Sequence, residues 1–173
     1  GEYGKVVVLA EGYSEECQES LYFLEIDNGK IVNYFICNEG GNELDPFAIL
    51  ELGNNILVGG FVKSRKLISN VIYNMFSETQ MIYVGEFTKS GKKIWSKGID
   101  LDGYEKGICN SMLKLKDGIL LLCHANKIGE NMSPFLLKID NKGSVKDIVQ
   151  LYNDKFITIG SILQISDDIF EII

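Results

Sequence analysis

Apolar and polar residues alternate in short runs along this chain, and Gly, Asn or Asp ends each run before it reaches helical length. Residues 111–125, S-M-L-K-L-K-D-G-I-L-L-L-C-H-A, predict a β-hairpin of an alternating strand, a Lys-Asp-Gly turn and a continuous apolar strand. Asp-Gly is expected to supply the positive-φ residues of the tight turn. The same unit recurs as A-I-L-E-L-G-N-N-I-L-V-G-G from Ala48 and as S-I-L-Q-I-S-D-D-I-F-E-I-I from Ser161.

The spacings show that the whole chain repeats. With Gly29, Gly91 and Gly143 as equivalent turn glycines, the next alternating segment begins 19, 20 and 18 residues later. From Ala48 to Gly60 and from Ser111 to Cys123 is 12 residues in both cases. One interval varies: from Gly12, Gly60 and Cys123 to the following turn glycine it measures 17, 31 and 20. A period of about fifty residues holding four short strands is that of a propeller blade.

We label the four strands A to D. Strand A is x-[IM]-L-x-[LI], in which alternate residues such as Leu113 and Leu115 share a face. Strand B is a continuous apolar run, residues 6–10, 56–58 and 119–122, which suits burial on both faces. Strand C reads Y-F-L-E-I-D or P-F-L-L-K-I-D, and strand D follows the turn glycine. A helix over residues 43–52 is disfavoured, because Asp45-Pro46 and Gly53 bracket too little chain.

At S-M-L-K-L-K-D-G-I-L-L-L, F-L-L-K-I-D-N-K-G and G-K-K-I-W the chain resembles the extracellular β-propeller repeat proteins of bacteria and archaea. The resemblance implies an all-β chain of about three four-stranded antiparallel blades, and an extracellular or cell-surface location. A single repeat carries a tryptophan, Trp95, and Asp147 stands at that offset in the last one. This departs from a tryptophan-docked propeller of the quinoprotein kind. The expected division is a partial blade at 1–38, blades at 44–101 and 107–152, and the start of another at 156–173.

Composition narrows the function classes. An apolar share of 46% over 173 residues is ample for a packed core. Seventeen basic against 24 acidic residues give a net charge of -7, which disfavours nucleic acid and anionic lipid as partners. No apolar run has the length of a membrane-spanning helix. Of the four cysteines, Cys109 and Cys123 lie in expected strands as small hydrophobes, whereas Cys17 and Cys37 are left open. With no C-x-x-C pair and one histidine, His124, a structural zinc site lacks ligands.

Little here predicts chemistry. Nothing in the pattern orients His124 for catalysis, and Gly59-Gly60 reads as a close backbone approach, not as a phosphate cradle. The run D-L-D-G-Y-E offers Asp100, Asp102 and Glu105 as oxygen ligands for calcium, although its spacing is not that of an EF-hand and a solvated loop is the plainer reading. Nothing in the pattern implies a cofactor. The anomaly is the 31-residue interval, in which residues 65–80 hold the chain's one arginine, Arg65, together with Tyr73, Asn74, Met75 and Phe76. Loops on a rigid scaffold carry recognition, and Arg, Tyr, Met and Phe are enriched at interfaces. The competing expectation is that the extra residues merely lengthen strands B and C into a protruding hairpin.

The resulting expectation is a non-catalytic interaction or assembly module presenting loops to a protein or glycan partner, or to further copies of the same blades. The alternative is a segment of a propeller enzyme, of hydrolase or quinoprotein type, whose catalytic residues lie outside these repeats. Three blades fall short of the four that usually close a ring. The blades are therefore expected to belong to a longer ring, or to one shared by two or more chains in which residues 162–165 pair beside residues 5–10 of the next. The shared version carries a conflict, since residues 169–173 compete for that strand B place.

Overall fold

The computed structural model describes residues 6–12, 20–37, 43–67, 76–151, 160–166 and 169–173, and these form antiparallel β-strands with no helix among them. Strands β1 (Val6–Gly12), β2 (Ser20–Asp27) and β3 (Lys30–Cys37) make one three-stranded meander. Next come β4 (Glu43–Leu52), β5 (Asn55–Leu67), β6 (Phe76–Thr88) and β7 (Lys93–Ile99), the last three each paired with the strand before it. A second four-stranded meander follows: β8 (Lys106–Leu115), β9 (Gly118–Asn126), β10 (Ser133–Ile139) and β11 (Val145–Gln150). One parallel bridge, Gln80↔Lys106, links these two meanders into an eight-stranded sheet. A hairpin of β12 (Ile162–Ser166) and β13 (Ile169–Ile172) completes the order.

The repeat extends to the irregularities of pairing. In each of the first three units an extra residue bulges from the last strand three positions after the turn glycine: Val32 after Gly29, Ile94 after Gly91 and Lys146 after Gly143. Those glycines have φ of 76°, 87° and 73°, a region that Cβ-bearing residues rarely adopt. Phe47 and Asn110 bulge at equivalent places in β4 and β8. The turns at Gly91 and Gly143 are also closed alike. Asp140 Oδ1 accepts from the Ser144 amide at 2.8 Å, and Thr88 Oγ1 accepts from the Lys92 amide at 3.1 Å.

The Lys-Asp-Gly turn departs from expectation. Its two turn residues are Lys116 and Asp117, between the pair Leu115↔Gly118, and none of the three has positive φ. Gly118 is needed for a different reason: any Cβ there would run into the carbonyl oxygen of Ile139 on the next strand.

Three apolar layers separate four successive units. Phe23 of β2 meets Leu44, Ile56, Val58, Tyr83 and Phe87 in the first, where the Phe23 and Phe87 rings lie 5.5 Å apart. The second layer sets Leu57, Ile82 and Val84 against Cys109, Ile119, Leu121, Leu137 and Ile139. Leu120 and Leu122 meet Ile162 and Ile172 in the third. Neighbouring residues of β5 and of β9 thus enter different layers, which is why both strands are continuously apolar. Each large side chain so buried is worth about 1.5–3 kcal/mol relative to exposure.

The β12–β13 hairpin breaks the repeat once. By equivalence with β8 and β9, Glu171 would stand opposite Ile162 and enter the third layer. Instead Ile165 bulges, Ile162 pairs with Ile172, and Glu171 is exposed. A one-residue slip exchanges the faces of a strand, and burying an unpaired carboxylate costs far more than a bulge.

Candidate functional site

The long interval becomes length of strand. Among the described residues, β5 has no pairing to β4 beyond Lys63, and β6 has none to β7 below Ile82, yet the two remain paired to each other as far as Leu67↔Phe76. Four residue pairs therefore project past the sheet, from Ser64↔Thr79 to Leu67↔Phe76. At 3.4 Å per residue the projection is about 14 Å. Arg65 stands in it opposite Glu78, and Phe76 opposite Leu67. Tyr73, Asn74 and Met75 lie outside the described residues.

The acidic run between β7 and β8 has a structural job. The Tyr104 amide donates to the Leu101 carbonyl at 2.9 Å, with Gly103 at φ 79° in the third place of the turn. Leu101 is buried in the second layer, and the Tyr104 ring meets Phe135 edge-on at 5.1 Å. Asp100 and Asp102 are exposed and Glu105 is half-buried. The described residues contain no group of three or more His, Cys, Asp or Glu placed to hold a metal ion.

A cleft of about 440 Å³ opens where β4–β7 meets β8–β11, lined by Glu51, Leu52, Gly53, Glu86, Lys114, Ile119 and Asn141. Its polar groups are already engaged. Glu86 accepts from Asn55 Nδ2 and from Trp95 Nε1, each at 2.6 Å, while Lys114 Nζ donates to Asn141 Oδ1 at 2.8 Å and Lys89 pairs with Glu51. The cleft's polar groups therefore tie strand ends together.

His124 is half-buried, with Nδ1 2.6 Å from Asn110 Oδ1. At that distance Asn110 Oδ1 accepts a hydrogen bond from Nδ1–H, which leaves Nε2 as an acceptor, and Nε2 is buried without a partner among the described residues. Burial accordingly pushes the imidazole pKa below its ordinary value. Gly59 and Gly60 lie inside β5, not at a strand end. A Cβ at Gly59 would sit 2.7 Å from Cys109 Sγ, and one at Gly60 would collide with the Asp45 carbonyl. Both glycines serve close packing.

Compared with known protein families and with curated protein sequences, the chain matches none.

Two surfaces escaped the sequence reading. One is the outward side of the β12–β13 hairpin, where Leu163, Ile165, Ile169 and Ile173 are 49%, 62%, 58% and 60% exposed. The other is the side of β2 that carries Tyr22, Leu24 and Ile26, opposite the side that carries Phe23. The repeat itself was the available signal, because it states which face each position takes.

Proposed function

We propose that the chain is a run of β-propeller blades and acts without catalysis, as an interaction or assembly module that presents loops to a protein or glycan partner. The observation that carries the proposal is the projecting β5–β6 hairpin on a repeated, layered scaffold. Paired strands hold the hairpin base, and Arg65 and Phe76 stand in its projecting part, while Tyr73, Asn74 and Met75 belong to the sequence that connects β5 to β6. The meanders, their equivalent bulges and the three apolar layers support the blade reading, since radially stacked four-stranded sheets are how propellers bury their faces.

The test is binding of the chain to arrays of glycans and surface proteins, beside a variant in which Asn-Gly replaces residues 68–75. Binding that is lost with the tip supports the proposal. Binding indifferent to the tip, or chemical turnover of the bound material, contradicts it.

A further inference from the structure

Cys109 of β8 and Cys123 of β9 stand directly opposite each other, at the last regular pair before Asn110 bulges. Residues so opposed in antiparallel strands have Cα atoms about 4.5 or 5.5 Å apart, and a disulfide spans about 4.4–6.8 Å, so the backbone already holds the spacing of the bond. Both side chains enter the second apolar layer, where each is 0% exposed. There Cys109 is the side-chain hydrogen-bond neighbour of the Cys123 thiol, and Cys109 Sγ itself donates to the Ser111 carbonyl at 3.7 Å. The repeat does not call for this pairing: in the preceding unit the equivalent places, also opposed in register, are taken by Pro46 and Gly60.

We infer that Cys109 and Cys123 are a cross-strand disulfide site whose state is set as the chain folds: folding in the presence of a small-molecule disulfide joins β8 to β9, and folding under reducing conditions leaves both thiols. Closure is a two-electron exchange. One cysteine thiolate attacks the reagent R–S–S–R, forming a mixed disulfide and releasing one thiolate. The second cysteine attacks the protein sulfur of that mixed disulfide, forming the Sγ–Sγ bond and releasing the other. The two protons lost by the cysteines end on the two released thiols, so the cysteines are oxidised and the reagent is reduced. Both attacks need a thiolate within the reagent's reach. The folded chain withholds it, because the sulfurs are sealed among Leu57, Ile82, Leu121 and Leu137, and burial holds the Cys123 thiol protonated. Exchange therefore belongs to the open chain, and the same burial shields a finished bond from reductant. The site lies away from the projecting hairpin, and neither reading depends on the other.

The experiment refolds the full chain from urea in graded mixtures of reduced and oxidised glutathione, beside a Cys17→Ser, Cys37→Ser variant in which this pair alone remains. Free thiols are alkylated under denaturing, non-reducing conditions and located by peptide mass, and circular dichroism checks folding. Reduced glutathione alone is expected to give alkylated Cys109 and Cys123; oxidising mixtures are expected to give neither, and a cross-linked peptide holding both. The bond is expected to be about a hundredfold more favoured in the folded chain than in urea, and linkage requires the oxidised chain's folding equilibrium constant to rise by the same factor, which the urea midpoint reads. Reductant added to the folded, oxidised chain should leave the bond closed until denaturant is added. Free thiols at every mixture, stable mixed disulfides with glutathione, pairing of Cys109 or Cys123 with Cys17 or Cys37, a bond no more favoured folded than in urea, or ready reduction of the folded chain overturns the inference. Should the double serine variant not fold, the peptide map of the parent chain decides alone.

Discussion

The indole of Trp95 lies against Gly143 on the next unit, so closely that a Cβ at Gly143 would stand 2.5 Å from Cζ3. Trp95 Nε1 donates to Glu86 Oε2 at 2.6 Å, so the ring is held from its own sheet while its edge covers the neighbour's turn. Gly143 therefore carries two constraints, a positive φ and a ceiling, where Gly29 carries only the first.

Gly143→Ala is expected to cost about 1–3 kcal/mol and Gly29→Ala about 1 kcal/mol, since strain acts at both sites but the clash at only one. Urea midpoints measure this. Equal losses in the two variants would mean that Trp95 yields without resistance.

Stability is expected to fall in two acid steps with different owners. The folded His124 resists protonation because of burial, so the unfolded chain takes up the proton first as pH drops below 6.5. Stability attributable to neutral His124 is present above that value and is lost as pH falls toward the folded pKa. Asp140 is held down to about 2, from 3.8, by the Ser144 amide, then by Lys146 and the Lys142 amide. Its contribution is present above 3.8 and is lost as pH falls through 3.8 to about 2. His124→Gln should lose less stability than the parent between pH 7 and 5. Asp140→Asn should be weaker than the parent at pH 7 and equal to it near pH 2. Unchanged differences across both intervals would contradict the assignment.

Cys109 and Cys123 are both free and fully buried, paired in register on β8 and β9. Burial, reinforced by the neighbouring Cys109, pushes the Cys123 thiol well above its ordinary range. Neither should react with an alkylating reagent in the folded chain, and both should react once denaturant is added without reductant. Protection that persists in denaturant would show that the two sulfurs are joined.

Much of the fold was legible because its determinants are periodic. The near-constant spacing from each turn glycine to the next alternating segment marks the repeat, and the apolar runs mark β5 and β9 as buried on both sides. What misled was local. Gly118 looks like a turn residue in K-D-G, but its requirement comes from Ile139, a residue 21 positions away. The slip at Ile165 is invisible to spacing because it answers to where Glu171 would otherwise be buried. In the candidate site, the excess length between Gly60 and Gly91 announced the projecting hairpin. The contact of His124 with Asn110 did not show, since it depends on the bulge that places Asn110 beside it.

The most direct test of the hairpin as a presented element is amide hydrogen exchange on the isolated chain. Among the described residues, amides of residues 64–67 and 76–79 pair only within the projecting hairpin, whereas those of residues 119–122 lie between two apolar layers. The first group is expected to exchange about a hundredfold faster than the second and to slow when a partner binds. Protection of residues 64–67 equal to that of residues 119–122 in the free chain would mean that the hairpin is part of the core, and would contradict the account.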